Sequence, residues 1–226
     1  DNYLPKGENE EVLRELIIAS QKILKDHKVN KKRMERGLLP ANSIWLWGEG
    51  KRPLLPNFKN KYGIEGALIS AVDLTKGIGI YAGLKIIEVP GATGYTDTNY
   101  EGKAEAALDI LKSVDFVYLH VEAPDEAGHS GDVREKIRAI EDFDKRVVGN
   151  IMEGMKDFVD YKILLLPDHP TPIKLRTHTS DPVPYAIFST DIKKEPRNIG
   201  FDEYLSNAPD ARYIDKGYEL MDYFIL

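Results

Sequence analysis

Val114-Asp-Phe-Val-Tyr-Leu-His-Val121, running directly into Glu122-Ala-Pro-Asp125-Glu-Ala-Gly-His129-Ser-Gly-Asp132, is the stretch from which the fold is read. Its first half is a short, mostly apolar run, the pattern of a strand covered on both faces. Its second half is polar and carries a carboxylate and an imidazole four residues apart. A strand ending in a cluster of acids and histidines is what a ligand site at the carboxyl edge of a parallel sheet looks like in sequence.

Outward from this stretch, strand-like and helix-like segments alternate. Towards the amino terminus lie a helix over Gly102–Leu111, a strand over Leu84–Val89, a helix over Leu74–Ala82 and a strand over Ala67–Ser70. Before them come a short helix over Phe58–Tyr62 and a short buried strand over Ile44–Trp47, ending at Gly48. Towards the carboxyl terminus come a long amphipathic helix over Val133–Met155, strands over Tyr161–Leu166 and Tyr185–Phe188, and a last helix over Gly217–Phe224. Apolar strands separated by helices predict an α/β fold, a mostly parallel sheet with helices on both faces. The segment Glu10–Lys25 has helical spacing at Val12, Leu13, Leu16, Ile17, Ile23 and Leu24. A basic run from Lys28 to Arg36 follows it, and Gly37 and Pro40 then break the chain.

Two further polar segments border predicted strands. Pro167-Asp168-His169-Pro170 follows the strand ending at Leu166, and Thr177-His178-Thr-Ser-Asp-Pro-Val-Pro184 precedes the strand at Tyr185. Imidazole nitrogen with carboxylate oxygen suits zinc, manganese or iron. Asp125 and His129 sit one helical turn apart, so both can face one ion; the same spacing also serves a solvated helix face. Asp168 and His169 are adjacent and can share an ion only where the backbone turns. Each pair alone fits an ordinary turn or surface role. Three such segments at strand ends of one sheet predict a metal site.

Composition narrows the rest. The chain has 226 residues, 42% hydrophobic and 30% charged, with a net charge of −6. That is the composition of an ordinary globular protein, and its acidity argues against a nucleic-acid partner. Cysteine is absent, which excludes disulfides, thiolate zinc sites and a cysteine nucleophile, and fits a reducing cytoplasm. No apolar run is long enough to span a membrane.

The run Pro124 to Asp132, continued by Lys136-Ile-Arg-Ala-Ile-Glu141 and Phe143-Asp144, resembles the metal segment of the cofactor-independent phosphoglycerate mutases, members of the alkaline phosphatase superfamily. The Asp168-His169 and His178 segments resemble the next two signatures, in order. Pro40-Ala-Asn-Ser-Ile-Trp-Leu-Trp-Gly-Glu-Gly50 and Gly91-Ala-Thr-Gly-Tyr-Thr-Asp-Thr-Asn-Tyr-Glu-Gly-Lys103 are similar to the archaeal-type branch. The likeness runs from about Asn30 to the end.

The resemblance implies two divalent ions, Mn²⁺ or Zn²⁺. One would be held by Asp125, His129 and His178. The other would be held by Asp168 and His169, completed by an Asp and a nucleophilic Ser or Thr from an amino-terminal strand. No segment here resembles that strand, so the expectation is a carboxy-terminal part of a longer enzyme that is inactive alone. Residues 1–40 would be the tail of an inserted domain and a linker, and 41–226 the metal-binding, alkaline-phosphatase-like core. The implied activity is interconversion of 2- and 3-phosphoglycerate in glycolysis and gluconeogenesis through a phosphoenzyme, on a small phosphorylated substrate. Another phosphotransferase or phosphatase on the same scaffold, such as a homoserine kinase, or a non-catalytic part, stays open. Lys51, Arg52, Arg33 and Arg36 are candidate partners for substrate carboxylate or phosphate, in competition with a plain surface role. Glu122 is read as an orienting carboxylate or a surface turn, His120 as a buried structural histidine, and His27 as solvated. Thr96 and Thr98 are read as parts of a loop.

Overall fold

The computed structural model describes residues 4–46, 48, 50–191, 200–207 and 211–226. The chain divides into two compact units, residues 1–53 and 54–226.

In the first unit, helix α1 (Glu10–Lys25) and helix α2 (Lys28–Glu35) are joined by a two-residue turn. His27 lies in that turn and is exposed, as expected. Its Nδ1 accepts from the Val29 N–H at 3.3 Å and caps α2. Two buried polar residues tie down the segment that follows. The Asn30 amide donates to the carbonyls of Leu24 and Ala41 and accepts from the Ala41 N–H. Ser20 accepts from the Ile44 N–H at 3.0 Å. That bond accounts for the correction at Ile44: its N–H is spent on a hydroxyl, and residues 44–46 form no strand. Trp47 lies outside the described residues.

The second unit opens with helix α3 (Phe58–Tyr62) and strand β1 (Gly66–Ile69), followed by helix α4 (Asp73–Ala82), strand β2 (Lys85–Ile87), helix α5 (Tyr100–Ile110) and strand β3 (Phe116–Leu119). The strands form a parallel sheet in the order β2-β1-β3. The chain steps from β1 to β2 through α4 and back across to β3 through α5. Right-handed crossovers running in opposite directions place those two helices on opposite faces. The burial of all four residues of β1 follows from being covered on both sides. Gly79 lets α4 lie close, since a Cβ there would meet Leu68 and Ile86 side chains at 2.9 and 3.0 Å.

After β3 come helix α6 (Ala123–Ser130) and helix α7 (Val133–Asp142). The predicted long helix is one helical run with a change of winding: α7, a π turn over Phe143–Val148, helix α8 (Gly149–Gly154) and a 3₁₀ turn over Met155–Asp157. Ala139, Phe143, Val147 and Ile151, spaced by four, all join one core cluster with Tyr100, Leu119, Val121 and Ala123. In a regular helix a spacing of four drifts around the axis; a wider turn in the middle keeps the row facing inward.

Strand β4 (Lys162–Leu165) and strand β5 (Ala186–Ser189) depart from the expected parallel sheet. They pair antiparallel with each other, apart from β1–β3. The segment between them contains no helix to make a parallel crossover, and antiparallel neighbours need none. Helix α9 (Leu220–Ile225) closes the chain. No helix among the described residues is long and apolar enough to cross a membrane.

Candidate metal centre

The carboxyl ends of β1 and β3 are stitched together where the polar residues begin. The His120 N–H donates to the Ile69 carbonyl at 2.8 Å, and His120 Nδ1 lies 3.2 Å from the Ser70 hydroxyl. Burial lowers the His120 pKa, which favours the neutral ring. Helix α6 starts three residues later with Pro124 in its first turn, a position where proline's missing N–H costs nothing. One turn of α6 separates Asp125 from His129.

The other ligand candidates come from the connection between β4 and β5. That connection doubles back: the Thr179 N–H donates to the Pro170 carbonyl, and the Arg176 N–H to the Pro172 carbonyl. His178 is thereby laid against His169, with ring centroids 3.8 Å apart. The same fold-back brings His178 to α6. His178 Nε2 is 3.1 Å from His129 Nε2 and 3.4 Å from Asp125 Oδ1, and His129 Nε2 is 3.4 Å from Asp125 Oδ2. Asp168 Oδ2 is 3.6 Å from His169 Nε2, completing a chain of contacts through Asp125, His129, His178, His169 and Asp168. Asp125 is the most buried of these, and Asp168 the most exposed at 62%.

The protonation pattern of His129 is set by its partner. Its Nδ1 lies 2.9 Å from the Arg176 carbonyl, which can only accept, so Nδ1 carries the proton. That leaves Nε2 as the nitrogen turned towards Asp125 and His178. Nitrogen and carboxylate lone pairs crowded at 3.1–3.4 Å repel one another unless a proton or a metal cation lies among them. Bonds of about 2.0–2.1 Å to a tetrahedral ion would separate its ligands by roughly 3.3 Å, close to the spacing seen. The donor set thus fits a divalent ion of the zinc or manganese kind.

Further carboxylates deepen the negative field. Oxygens of Glu122, Asp125 and Glu126 lie within 4.8 Å of one another, as do ligand atoms of Asp125, His169 and His178. Burial, then the Glu126 and Asp125 carboxylates, raise the Glu122 pKa. The loop bearing Gly94 presses on Glu122, since a Cβ on Gly94 would sit 2.4 Å from its Oε2. Thr96 and Thr98 brace this loop. The Thr96 hydroxyl donates to Glu135 at 2.8 Å, and buried Thr98 accepts from the Thr93 N–H at 2.9 Å. Lys51, Arg52, Arg33 and Arg36 all belong to the first unit, where Arg33 Nε donates to the Leu39 carbonyl.

A family model described as the metalloenzyme superfamily matches residues 11–210. This chain belongs to the metalloenzyme superfamily. Among its relatives is the probable 2,3-bisphosphoglycerate-independent phosphoglycerate mutase of Geobacter sulfurreducens, 54% identical over 220 residues, which span 97% of this chain and 55% of the relative. The 2,3-bisphosphoglycerate-independent phosphoglycerate mutase of Methanosarcina mazei is 57% identical over 205 residues, 90% of this chain and 51% of the relative. Among solved structures, the PH0037 protein of Pyrococcus horikoshii matches with a TM-score of 0.72 at 32% identity, over 86% of this chain and 51% of that one. The cofactor-independent phosphoglycerate mutase of Thermoplasma acidophilum matches with a TM-score of 0.56 at 28% identity, over 96% and 51%. The chain spans about half the length of the relatives it matches. Divalent-metal binding is the common property of the superfamily, and the Asp125–His129–His178 cluster has the chemistry for it.

Several contributors to the site were not foreseen. Thr171, 4% exposed, donates its hydroxyl to Asp125. Arg176 sits in the left-handed region at φ 54°, unusual for a residue with a side chain, and offers the carbonyl that orients His129. Lys103, fully buried, donates to the His120 carbonyl at 3.1 Å, and Lys136 donates to the Thr171 carbonyl at 2.8 Å. Lys103 and Thr171 stand inside or beside quoted motifs. Their roles depend on backbone carbonyls and side chains far along the chain, which no local pattern marks.

Proposed function

We propose that this chain carries the metal-binding part of a 2,3-bisphosphoglycerate-independent phosphoglycerate mutase, interconverting 2- and 3-phosphoglycerate through a phosphoenzyme. The observation that carries the reading is the convergence of Asp125, His129 and His178 from two distant segments, in a chain whose relatives bear that enzyme's name. In this reading Asp125, His129 and His178 hold one divalent ion, and Asp168 and His169 contribute to the second; Mn²⁺ and Zn²⁺ suit the donors. Such ions supply Lewis acidity that lowers the pKa of an attacking hydroxyl and neutralises phosphoryl oxygens.

The chain's own residues do the positioning. The Arg176 carbonyl holds the His129 proton on Nδ1, keeping Nε2 a donor to a cation. The exposure of Asp168 and His178 leaves one side of the cluster open to a substrate. Lys51, Arg52, Arg33 and Arg36 remain the candidates for gripping substrate carboxylate or phosphate. Two side chains, Asp168 and His169, are few for a second ion. We place the attacking hydroxyl and the completing carboxylate outside these 226 residues, with the reaction in the cytoplasm.

The test is a chimera in which this chain replaces the matching half of the Methanosarcina mazei relative. We expect it to convert 3-phosphoglycerate to 2-phosphoglycerate with added Mn²⁺, and His178→Ala to reduce turnover by about 100-fold or more, as loss of one member of a coupled catalytic unit does. The 226-residue chain alone should show no turnover. Turnover by the chain alone would place the nucleophile within it. A folded chimera that hydrolyses phosphomonoesters or phosphorylates homoserine, yet leaves 3-phosphoglycerate unchanged, would replace the mutase reading with another phosphoryl transfer.

A further inference from the structure

Thr171 lies on the connection between β4 and β5, two residues after His169, and its hydroxyl touches both halves of the ligand cluster. Oγ1 donates to Asp125 Oδ1 and lies 3.4 Å from His169 Nδ1. A threonine hydroxyl has one proton to give. That proton goes to the carboxylate, which can only accept while ionised. The contact with His169 must then run the other way, from Nδ1–H to Oγ1. With its proton on Nδ1, the His169 ring can offer its Nε2 lone pair to a cation, as the Arg176 carbonyl arranges for His129.

The backbone of Thr171 is held as well. Its carbonyl accepts from Lys136 Nζ at 2.8 Å, and burial of that ammonium makes the bond costly to lose. Gly128 of α6 leaves room for the arrangement: a Cβ there would lie 2.6 Å from the Thr171 carbonyl oxygen and 2.9 Å from Lys136 Nζ. Thr171 is thus fixed at its hydroxyl to Asp125 of α6 and at its carbonyl to Lys136 of α7.

We propose that Thr171 is a positioning residue that couples the two half-sites, setting the orientation of Asp125 and the tautomer of His169 with one hydroxyl. This rests on the reading of the cluster as a metal centre. Groups that orient ligands typically change metal affinity by about 10–100-fold when removed. Thr171→Val keeps the shape and deletes the hydroxyl; Thr171→Ser keeps the hydroxyl.

The experiment measures Mn²⁺ binding to the 226-residue chain by calorimetry, and the His169 tautomer by ¹⁵N NMR of the metal-free chain. We expect Thr171→Val to weaken Mn²⁺ binding by about 10–100-fold and Thr171→Ser to stay within about threefold of wild type. We expect His169 to carry its proton on Nδ1 in wild type and in Thr171→Ser, and to lose that preference in Thr171→Val. The inference is overturned if Thr171→Val binds as tightly as wild type, or if wild-type His169 carries its proton on Nε2. If wild type binds no Mn²⁺, the metal reading fails, while the tautomer measurement still decides the role of Thr171. Should Thr171→Val not fold, the wild-type tautomer and the Thr171→Ser affinity decide it: a proton on Nε2, or binding weakened beyond threefold by Thr171→Ser, overturns the inference.

Discussion

Lys103 is an ammonium with no exposed surface, bonded to the His120 carbonyl and facing the Glu122 carboxylate. Burial pushes its pKa down to about 8 from the ordinary 10.5, against the smaller upward pull of Glu122. Below pH 8 the lysine is charged in folded and unfolded chains alike, and the folded state bears the full cost of burying it. As pH rises from 8 to 10.5 the folded chain releases the proton first, so the cost is relieved. Two and a half pKa units correspond to roughly 3 kcal/mol. Urea unfolding of wild type and Lys103→Met should therefore show wild type gaining on the variant by about 2–3 kcal/mol between pH 7 and pH 10.5. A pH-independent difference would mean that the ammonium is paired and not desolvated. At this scale the sequence was legible for side chains whose own donor chemistry marks them. Asp125, His129, Asp168, His169 and His178 stood out as donors and came together. Thr171, Arg176 and Lys136 were silent, because their work is done on carbonyls and side chains that only folding brings near.

Between α6 and α7 the chain reverses at Gly131, φ 77°, and Asp132 then caps α7 by accepting from the N–H groups of Arg134 and Glu135 at 2.9 and 3.0 Å. The cap sets the angle at which α7 leaves the ligand-bearing helix, and α7 in turn carries Lys136 to Thr171. Asp132→Ala should cost about 1 kcal/mol of stability in thermal or urea unfolding, and Asp132→Asn much less, since asparagine caps as well. An alanine variant within a few tenths of a kcal/mol of wild type would show that the cap is not needed. Helices with a clear apolar row and a stop signal were legible: α1 runs over Glu10–Lys25 as its spacing predicts, with no adjustment. The winding of the long helix was not, because a row spaced by four reads as helical whether or not a π turn keeps it in line. Nor was the pairing of β4 with β5. Both strands have the apolar run of a covered parallel strand, and the missing crossover helix between Leu166 and Tyr185 was the sign that they pair antiparallel.

Across the whole molecule, the candidate metal centre is made of segments far apart in sequence meeting beyond the carboxyl end of β3. Asp125 and His129 arrive on a helix after a parallel strand; Asp168, His169 and His178 arrive on a folded-back connection in a separate sheet. The Asp125–His129–His178 cluster draws on both segments, so it is a product of the tertiary fold. The central claim is that these side chains converge because a divalent cation belongs among them. Crystals of the chain grown with Mn²⁺ test it directly, through anomalous scattering at the manganese edge. The account predicts a peak bonded to His129 Nε2, His178 Nε2 and an Asp125 oxygen at about 2.0–2.3 Å, lost in His178→Ala crystals grown alike. Fully liganded crystals with manganese elsewhere and none between these three side chains would contradict it.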